Sequence, residues 1–161
     1  MARVIENLDE VAAAVDEERR AGRTIALTNG AFDLLHVGHT RSLIDAATRA
    51  DVLVVALNSD AAIRATKGPD RPVHPLAERM EVIAALGAVD YVTWFDGPTC
   101  DHVLDAIRPD LHAKGPDYTP ENIPERRTLE RLKIPLVTVG DPKDHSTTAI
   151  ATRQRDDTVE A

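Results

Sequence analysis

The sequence has few of the residue types that mark secreted or membrane proteins. Its 161 residues include one cysteine, Cys100, so no disulfide can form within the chain and a reducing compartment is expected. No stretch approaches the roughly 18 consecutive apolar residues of a membrane span. Residues 1–10 include acidic side chains and do not resemble a secretory signal. We therefore expect a cytoplasmic protein with no membrane partner.

Basic side chains are fewer than acidic ones. The chain has 19 lysine and arginine residues against 27 aspartate and glutamate residues, which gives a formal net charge of -8. A general nucleic-acid binder needs a basic face, so no nucleic-acid partner is expected, although a local basic pocket for phosphates is compatible with this charge. The length and the 43% apolar content fit one domain over residues 1–161 with a single sizeable core.

Short apolar runs alternate with helical patterns along the chain. A helical lead-in is predicted at 7–22, with Asn7 as its N-cap and Gly22 as its stop. Strands are predicted at 24–28, 52–57, 89–95, 111–114 and 136–139, with helices between them and a final helix after Ser146. The Asn29-Gly30 pair is expected to end the first of these strands, and the tail 155–161 is expected to fray. This alternation predicts an α/β fold with a parallel sheet of about five strands and helices on both faces.

In such folds ligands bind outside the carboxyl ends of the strands. The loops at those ends are 29–39, 58–75, 114–120 and 140–148, and they contain nearly all the unusual residues of the chain. Among them, His36-Val37-Gly38-His39 leaves a buried strand and enters a helix. Two histidines three residues apart at a helix start face the same way, where backbone N–H groups already favour an anion. Gly38 lets a phosphate approach the backbone, and the imidazoles add donors for charge on a leaving pyrophosphate.

Other interpretations of this segment stay open. The two histidines could be zinc ligands with Asp33 as a third, although no further cysteine or histidine cluster has useful spacing. They could also be capping or solvated side chains.

Alternatives stay open for three further residues outside this segment. Lys67, in the loop 67–75, could be solvated, and Arg79 could be an ordinary surface charge beside acidic residues. His112 has no partner pattern and could be structural or solvated.

The segment from Thr28 to His39 resembles the signature of the HxGH nucleotidyltransferase superfamily, in its cytidylyltransferase-like branch. Further segments follow in the family's order: Asn58-Ser59-Asp60, Lys67-Gly68-Pro69 with Arg71-Pro72, Arg79, Lys114-Gly115-Pro116-Asp117-Tyr118-Thr119 and Ser146-Thr147-Thr148. The resemblance covers roughly residues 8–153. Within the branch it is strongest to the D-glycero-β-D-manno-heptose 1-phosphate adenylyltransferases, as a stand-alone domain without the sugar kinase domain to which that activity is often joined.

The resemblance implies a Rossmann-like fold that transfers AMP from ATP to a sugar phosphate, a heptose 1-phosphate, giving ADP-heptose and pyrophosphate. It also implies Mg²⁺, held mainly by phosphates rather than by the protein, and a homodimer or higher homo-oligomer. The alternatives are an enzyme with another phosphorylated acceptor (glycerol 3-phosphate, phosphoethanolamine or FMN) that transfers CMP or AMP, and a nucleotide-binding module without turnover. The presence of His36, His39 and Lys67 argues against the last of these.

Roles carried over from the family fall into three groups. The implied catalytic residues are His36, His39 and Lys67, the last reaching the phosphates from a mobile loop. The implied nucleotide-binding residues are Asn29, Gly30, Phe32, Gly38, Arg79, Gly115, Ser146, Thr147 and Thr148. The implied substrate-binding residues are Asp33, Asn58, Asp60, Arg71, Lys114 and Asp117. Pro116 departs from the family, which usually has a second glycine there, and so does Ala151, where the wider superfamily often has a basic residue.

Overall fold

A computed structural model describes residues 1–141 and contains a six-stranded parallel sheet in the order β1-β4-β3-β2-β5-β6. The strands are β1 Arg3–Val4, β2 Ile25–Gly30, β3 Val52–Asn58, β4 Tyr91–Phe95, β5 Leu111–Lys114 and β6 Leu136–Thr138. The helices are α1 Leu8–Arg20, α2 Val37–Ala47, α3 Asp60–Lys67, α4 Leu76–Ala84, α5 Asp101–Ile107 and α6 Arg126–Leu132. The predicted parallel α/β sheet is confirmed. The sixth strand, β1, has only two residues and gives no periodic signal.

The core lies on both faces of the sheet, as apolar strands require. Ile25 and Leu27 of β2 pack with α1 and α5 on one face, while Ala26 packs with α2 and α4 on the other. β3 is central, and its residues from Val52 to Leu57 are all buried. Because β3 has apolar neighbours on both faces, its sequence reads as a continuous apolar run.

Two predicted boundaries were wrong. Asn29 and Gly30 do not end the strand at residue 28, because they continue β2 and pair in register with Ala56 and Leu57 of β3. The neighbouring strand supplies the hydrogen bonds that override their turn preference. Lys67 does not begin the loop, since it is the last residue of α3 and Gly68, with φ +97°, ends the helix.

Other boundaries were predicted correctly. The Asn7 side chain accepts hydrogen bonds from the backbone N–H groups of Asp9 and Glu10 and so caps α1. The predicted helix after Ser146 and the tail 155–161 lie outside the described residues. Among the described helices, none is both long and apolar enough to cross a membrane.

The strand order reverses between β2 and β5. From β2 the chain proceeds to β3 and β4 on one side, and it later returns to add β5 and β6 on the other. β2 and β5 pair only through Ala26 with Leu111 and Leu27 with His112, so the ladder stops before the carboxyl ends of both strands. Such a switch point opens a crevice at the carboxyl edge, which is where α/β proteins bind ligands.

The buried Arg79 ties together the segments that form this edge. Its guanidinium donates to the carbonyl of His74 at 3.0 Å, the carbonyl of Ala31 at 2.7 Å and the carbonyl of Asn58 at 2.9 Å. It also forms an ion pair with Asp60 at 2.7 Å, and its side chain is 0% exposed. One side chain of α4 therefore fixes the loop after β2, the end of β3, the start of α3 and the loop before α4.

We expect Arg79→Met to lower the free energy of unfolding by about 3–5 kcal/mol, because it leaves Asp60 and three carbonyl groups without their donor. Chemical denaturation followed by circular dichroism measures the change. Arg126→Met is the matched control, since Arg126 pairs with Glu130 on the exposed surface of α6 and such pairs contribute about 0–1 kcal/mol. A loss below about 1 kcal/mol in Arg79→Met would contradict the structural role of this residue.

Candidate functional site

The two histidines of the HxGH segment sit at the start of α2 with defined hydrogen bonds. His36 is the N-cap residue, and its Nδ1 accepts from the backbone N–H of Gly38 at 3.1 Å. The backbone N–H of His36 in turn donates to Nδ1 of His39 at 3.3 Å. A neutral imidazole that accepts at Nδ1 carries its proton on Nε2. The helix start therefore fixes both rings as Nε2–H donors.

The rings of His36 and His39 stack with their centroids 3.8 Å apart and an interplanar angle of 28°. Burial, together with the neighbouring His36 and the charge of Lys67, lowers the pKa of His39 to about 4. His39 is therefore neutral at pH 7 and donates as an imidazole. The positive charge near it comes from Lys67, at the end of α3.

The zinc interpretation requires Asp33 as a third ligand, but the carboxylate of this residue holds the 68–75 loop instead. Asp33 is 3% exposed, and its Oδ1 accepts from the backbone N–H groups of Val73 at 2.8 Å and His74 at 3.0 Å. Its Oδ2 pairs with Arg71 at 3.0 Å. Across residues 1–141, no group of three histidine, cysteine or acidic side chains is arranged to hold a metal ion. Substrate contacts of Asp33 and Arg71 remain predictions.

Phe32 and Gly30 shape the approach to the histidines. Phe32 adopts a positive φ of 46°, and its ring centroid lies 5.3 Å from that of His39. A Cβ atom on residue 30 would lie 3.1 Å from Cε2 of Phe32, so a side chain there would displace the ring. A glycine at the end of β2 thus lets Phe32 fold back over the strand. The nucleotide contacts of both residues remain predictions.

Lys114 was predicted to bind substrate. In the structure, its ammonium group donates to Asn29. Nζ donates to the backbone carbonyl of Asn29 at 3.2 Å and to its side-chain Oδ1 at 3.0 Å. Nζ also lies 4.4 Å from the centroid of the Tyr118 ring. Nε2 of His112 is 3.0 Å from the same Oδ1. Lys114 and His112 thus connect β5 to the end of β2 where the ladder has stopped, and His112 is structural rather than solvated.

The other predicted residues are distributed around the edge. The surface interpretation of Arg79 is wrong, since this residue is 2% exposed and its guanidinium contacts protein groups, with Asn58 and Asp60 among them. Gly115 has open space where a Cβ atom would stand, and Asp117 is exposed. Gly38 is the second residue of α2, and its backbone N–H donates to Nδ1 of His36. The predicted contacts of these residues with ligands remain predictions, and Ser146, Thr147 and Thr148 lie outside the described residues.

Sequence reasoning missed Asp96 and the role of Ser59. The hydroxyl of Ser59 donates to Oδ1 of Asp96 at 2.5 Å and accepts from the backbone N–H of Ala62, which caps α3. Ser59, the backbone N–H of Gly97 and the charge of His102 all lower the pKa of Asp96. Ligands in α/β folds bind at the carboxyl ends of the strands, so the position of Asp96 directly after β4 could have identified it from the sequence.

A cavity of about 470 Å³ opens beside the HxGH segment. Residues 32–35 form one side of the cavity, and helix α4 with the loop before it forms the other. The lining residues are Phe32, Asp33, Leu35, His74, Glu78, Arg79, Glu81, Val82 and Ala85. The edge of the sheet thus combines two imidazole N–H donors, a lysine at a helix end, and an adjoining cavity. This arrangement can hold a polyphosphate and stabilise charge that develops on it.

Comparisons with known proteins identify the family and the relatives of this chain. Residues 27–153 match the family model described as cytidylyltransferase-like. The chain is 44% identical over 153 residues to the bifunctional protein HldE of Geotalea uraniireducens (strain Rf4), covering 94% of this chain and 31% of that protein. It is 48% identical over 115 residues to the bifunctional protein HldE of Edwardsiella ictaluri (strain 93-146), covering 71% and 24%. The chain thus spans about a third or less of these curated relatives.

Two solved structures share the fold. The lipopolysaccharide core biosynthesis protein from Thermoplasma volcanium GSS1 superposes with a TM-score of 0.65 at 22% identity, covering 76% of this chain and 100% of that one. The pantothenate synthetase from Thermus thermophilus gives a TM-score of 0.63 at 17% identity, covering 89% and 63%. These two similarities concern the fold alone. The match of residues 27–153 to the family model shows that the chain belongs to the cytidylyltransferase-like family of nucleotidyltransferases.

Proposed function

We propose that this domain transfers AMP from ATP to a heptose 1-phosphate, giving ADP-heptose and pyrophosphate. The observation that carries the proposal is the pair of imidazoles at the start of α2, each fixed by a backbone N–H as an Nε2–H donor. The alignment with curated relatives over 153 residues supports it, as does the motif order described above. Location in the cytoplasm and homo-oligomerisation belong to the same proposal.

In this reaction a phosphate oxygen of the sugar phosphate attacks the α-phosphorus of ATP. A new P–O bond forms while the bond to the bridging oxygen breaks, and the electron pair leaves with pyrophosphate. The attacking oxygen is already anionic, so the step needs no general base. Alignment of two polyanions and stabilisation of the leaving charge supply the rate.

His36 and His39 would donate through Nε2–H to phosphate oxygens whose charge increases as pyrophosphate leaves. Neutral donors fit this task, because they bind an anion without a proton being lost or gained at pH 7. Lys67 would neutralise charge on the same phosphates from the end of α3, and its charge already reaches His39. Gly30 and Phe32 would border the nucleotide at the end of β2.

Mg²⁺ would be bound through the triphosphate and water rather than through a protein cage. The fit is consistent with the side chains present, since the carboxylates of Asp33 and Asp60 are committed to Arg71 and Arg79. When bound, the ion would neutralise phosphate charge and align the triphosphate. The acceptor would occupy the open side of the edge, where the exposed Asp117 could accept from sugar hydroxyls.

The direct test is a screen of pyrophosphate release with four ribonucleoside triphosphates against a panel of sugar and alditol phosphates. We expect the highest kcat/KM for ATP with heptose 1-phosphate. Glycerol 3-phosphate should be poorer by as much as about 10⁴-fold, because a site that binds several hydroxyls is left with unpaired polar groups. A preference for CTP or for glycerol 3-phosphate would overturn the assignment of substrates. Absence of pyrophosphate release would overturn transferase activity altogether.

The histidine role predicts a specific effect of His36→Asn. Asparagine is a good N-cap, so its Oδ1 can replace the contact with Gly38, but it has no donor at the position of Nε2. We expect turnover to fall by about 10²–10³-fold with the thermal midpoint retained, as for loss of one preorganised donor. His39→Ala should lose a similar factor. Near-normal turnover in His36→Asn, or activity that follows bound zinc instead of Mg²⁺, would contradict the role assigned to the pair.

Lys67→Ala should reduce turnover more than it weakens ATP binding, because a cation at a helix end acts most on charge that develops in the transition state. Arg64→Ala is the matched control, since Arg64 is an exposed cation on the same helix. Single-turnover kinetics and calorimetric ATP titration measure the two effects. Equal losses of binding and turnover in Lys67→Ala, or equal effects of the two substitutions, would contradict the prediction.

A further inference from the structure

The crevice between β2 and β5 contains a polar arrangement that the proposed reaction does not explain. Asn29 is the last residue but one of β2, and it lies beyond the point where the ladder with β5 stops. Its side-chain Oδ1 receives Lys114 Nζ at 3.0 Å and lies 3.0 Å from Nε2 of His112. Two side chains of one strand therefore converge on a single amide oxygen at the switch point.

These contacts determine which way the amide faces. His112 is 0% exposed, and burial, reinforced by the charge of Lys114, lowers its pKa to about 3, so the ring is neutral. Its Nε2 faces an atom that already accepts from an ammonium, so that nitrogen must be the protonated one. An amide NH₂ group facing two donors would be repelled, which identifies the atom between them as oxygen. The NH₂ group of Asn29 lies on the other side, and within residues 1–141 no protein group accepts from it.

We propose that Lys114 and His112 are positioning residues that lock the side-chain amide of Asn29 so that its NH₂ group donates to a phosphate oxygen of the bound nucleotide. This inference rests on the proposed function, because it takes a nucleoside triphosphate as the ligand of the crevice. The family resemblance already implies that Asn29 binds the nucleotide. The inference adds the side-chain group that makes the contact and the two residues that orient it, and it moves Lys114 from substrate binding to the support of that contact.

Burying the ammonium group of Lys114 costs free energy, which indicates that its position serves more than strand packing. Lys114 is 8% exposed, and burial lowers its pKa while the buried carboxylate of Glu125 opposes that shift. Glu125 is itself 3% exposed and is held by the backbone N–H of Cys100 at 3.2 Å. Replacing buried charges by apolar side chains of similar volume is often neutral or stabilising. A buried lysine here is explained by an amide that must keep one orientation.

Asn29→Asp is the most direct test, because aspartate keeps an oxygen for Lys114 and His112 but replaces the NH₂ group with a second oxygen. We expect the thermal midpoint to be retained. We expect kcat/KM for ATP to fall by about 10²-fold or more, as for loss of a preorganised donor next to an anion. Calorimetric ATP binding should weaken in parallel. Aspartate also adds a negative charge next to the polyanion, so the loss is assigned to the missing donor only if the uncharged Asn29→Ala variant loses a comparable factor. Unchanged kcat/KM and ATP affinity in Asn29→Asp, or in Asn29→Ala, would overturn the inference.

The positioning role is tested by two substitutions at His112. His112→Gln places an amide N–H where Nε2 stood and should keep kcat/KM within about 3-fold, whereas His112→Leu removes the donor and should lower it about 10-fold. In an Asn29→Ala background, His112→Leu should cause no further loss, because the side chain it orients is gone. Additive losses, or equal behaviour of glutamine and leucine, would contradict positioning. Thr93→Val is the control, since Thr93 is equally buried on β4.

Lys114→Met is made together with Glu125→Gln, so that no buried carboxylate is left without its cation. The double variant should lower kcat/KM by about 10–10²-fold and lose this effect in the Asn29→Ala background. If the double variant does not fold, the His112 series decides the question by itself. The failures of the two proposals are distinguishable: a wild-type protein that does not bind ATP overturns the proposed function, whereas normal ATP binding and turnover in Asn29→Asp overturns only this inference.

Discussion

The site depends on one buried cation. The guanidinium of Arg79 joins the carbonyl group of Ala31, in the loop after β2, to that of Asn58, at the end of the neighbouring strand β3. Hydrogen bonds to a charged donor are stronger than neutral ones, and a planar guanidinium can reach several acceptors at once. The loop that carries the two histidines therefore has a fixed origin relative to α3, which carries Lys67. Arg79 thus extends the connection between the two segments beyond the last paired residues of β2 and β3.

Much of the fold follows from local patterns, and the exceptions have physical causes. The alternation of apolar runs and helical segments predicts the parallel sheet, and Asn7 predicts the start of α1. The extension of β2 through Asn29 and Gly30 depends on register with β3, which is a contact between segments distant in sequence. β1 escapes prediction for a similar reason, because two residues become a strand only by pairing with β4.

In the candidate site, too, local patterns predict some residues correctly, whereas others depend on partners distant in sequence. The strand-end rule and the HxGH spacing place His36, His39 and Phe32 at one edge, because both signals are local. They do not reveal that Arg79 is buried, since a cation beside acidic neighbours reads as a surface group. Nor do they reveal that Asp33 holds the 68–75 loop, since Val73 and Arg71 lie about 40 residues further along the chain. Partners distant in sequence turn those charges inward. A charge pattern alone therefore does not separate residues that touch a ligand from residues that hold the site together.

The division of labour among the cations follows from their burial. Arg79 is buried and paired with Asp60, and Lys114 is buried with the carboxylate of Glu125 nearby, so both cations organise the edge from within the protein. His39, with its pKa lowered to about 4, adds no charge at pH 7. In the proposed reaction, a protein of net charge -8 would meet a polyanion with directed N–H groups and with Lys67. A neutral donor such as His39 would then stabilise the leaving charge without adding a permanent positive charge that retains pyrophosphate after the reaction.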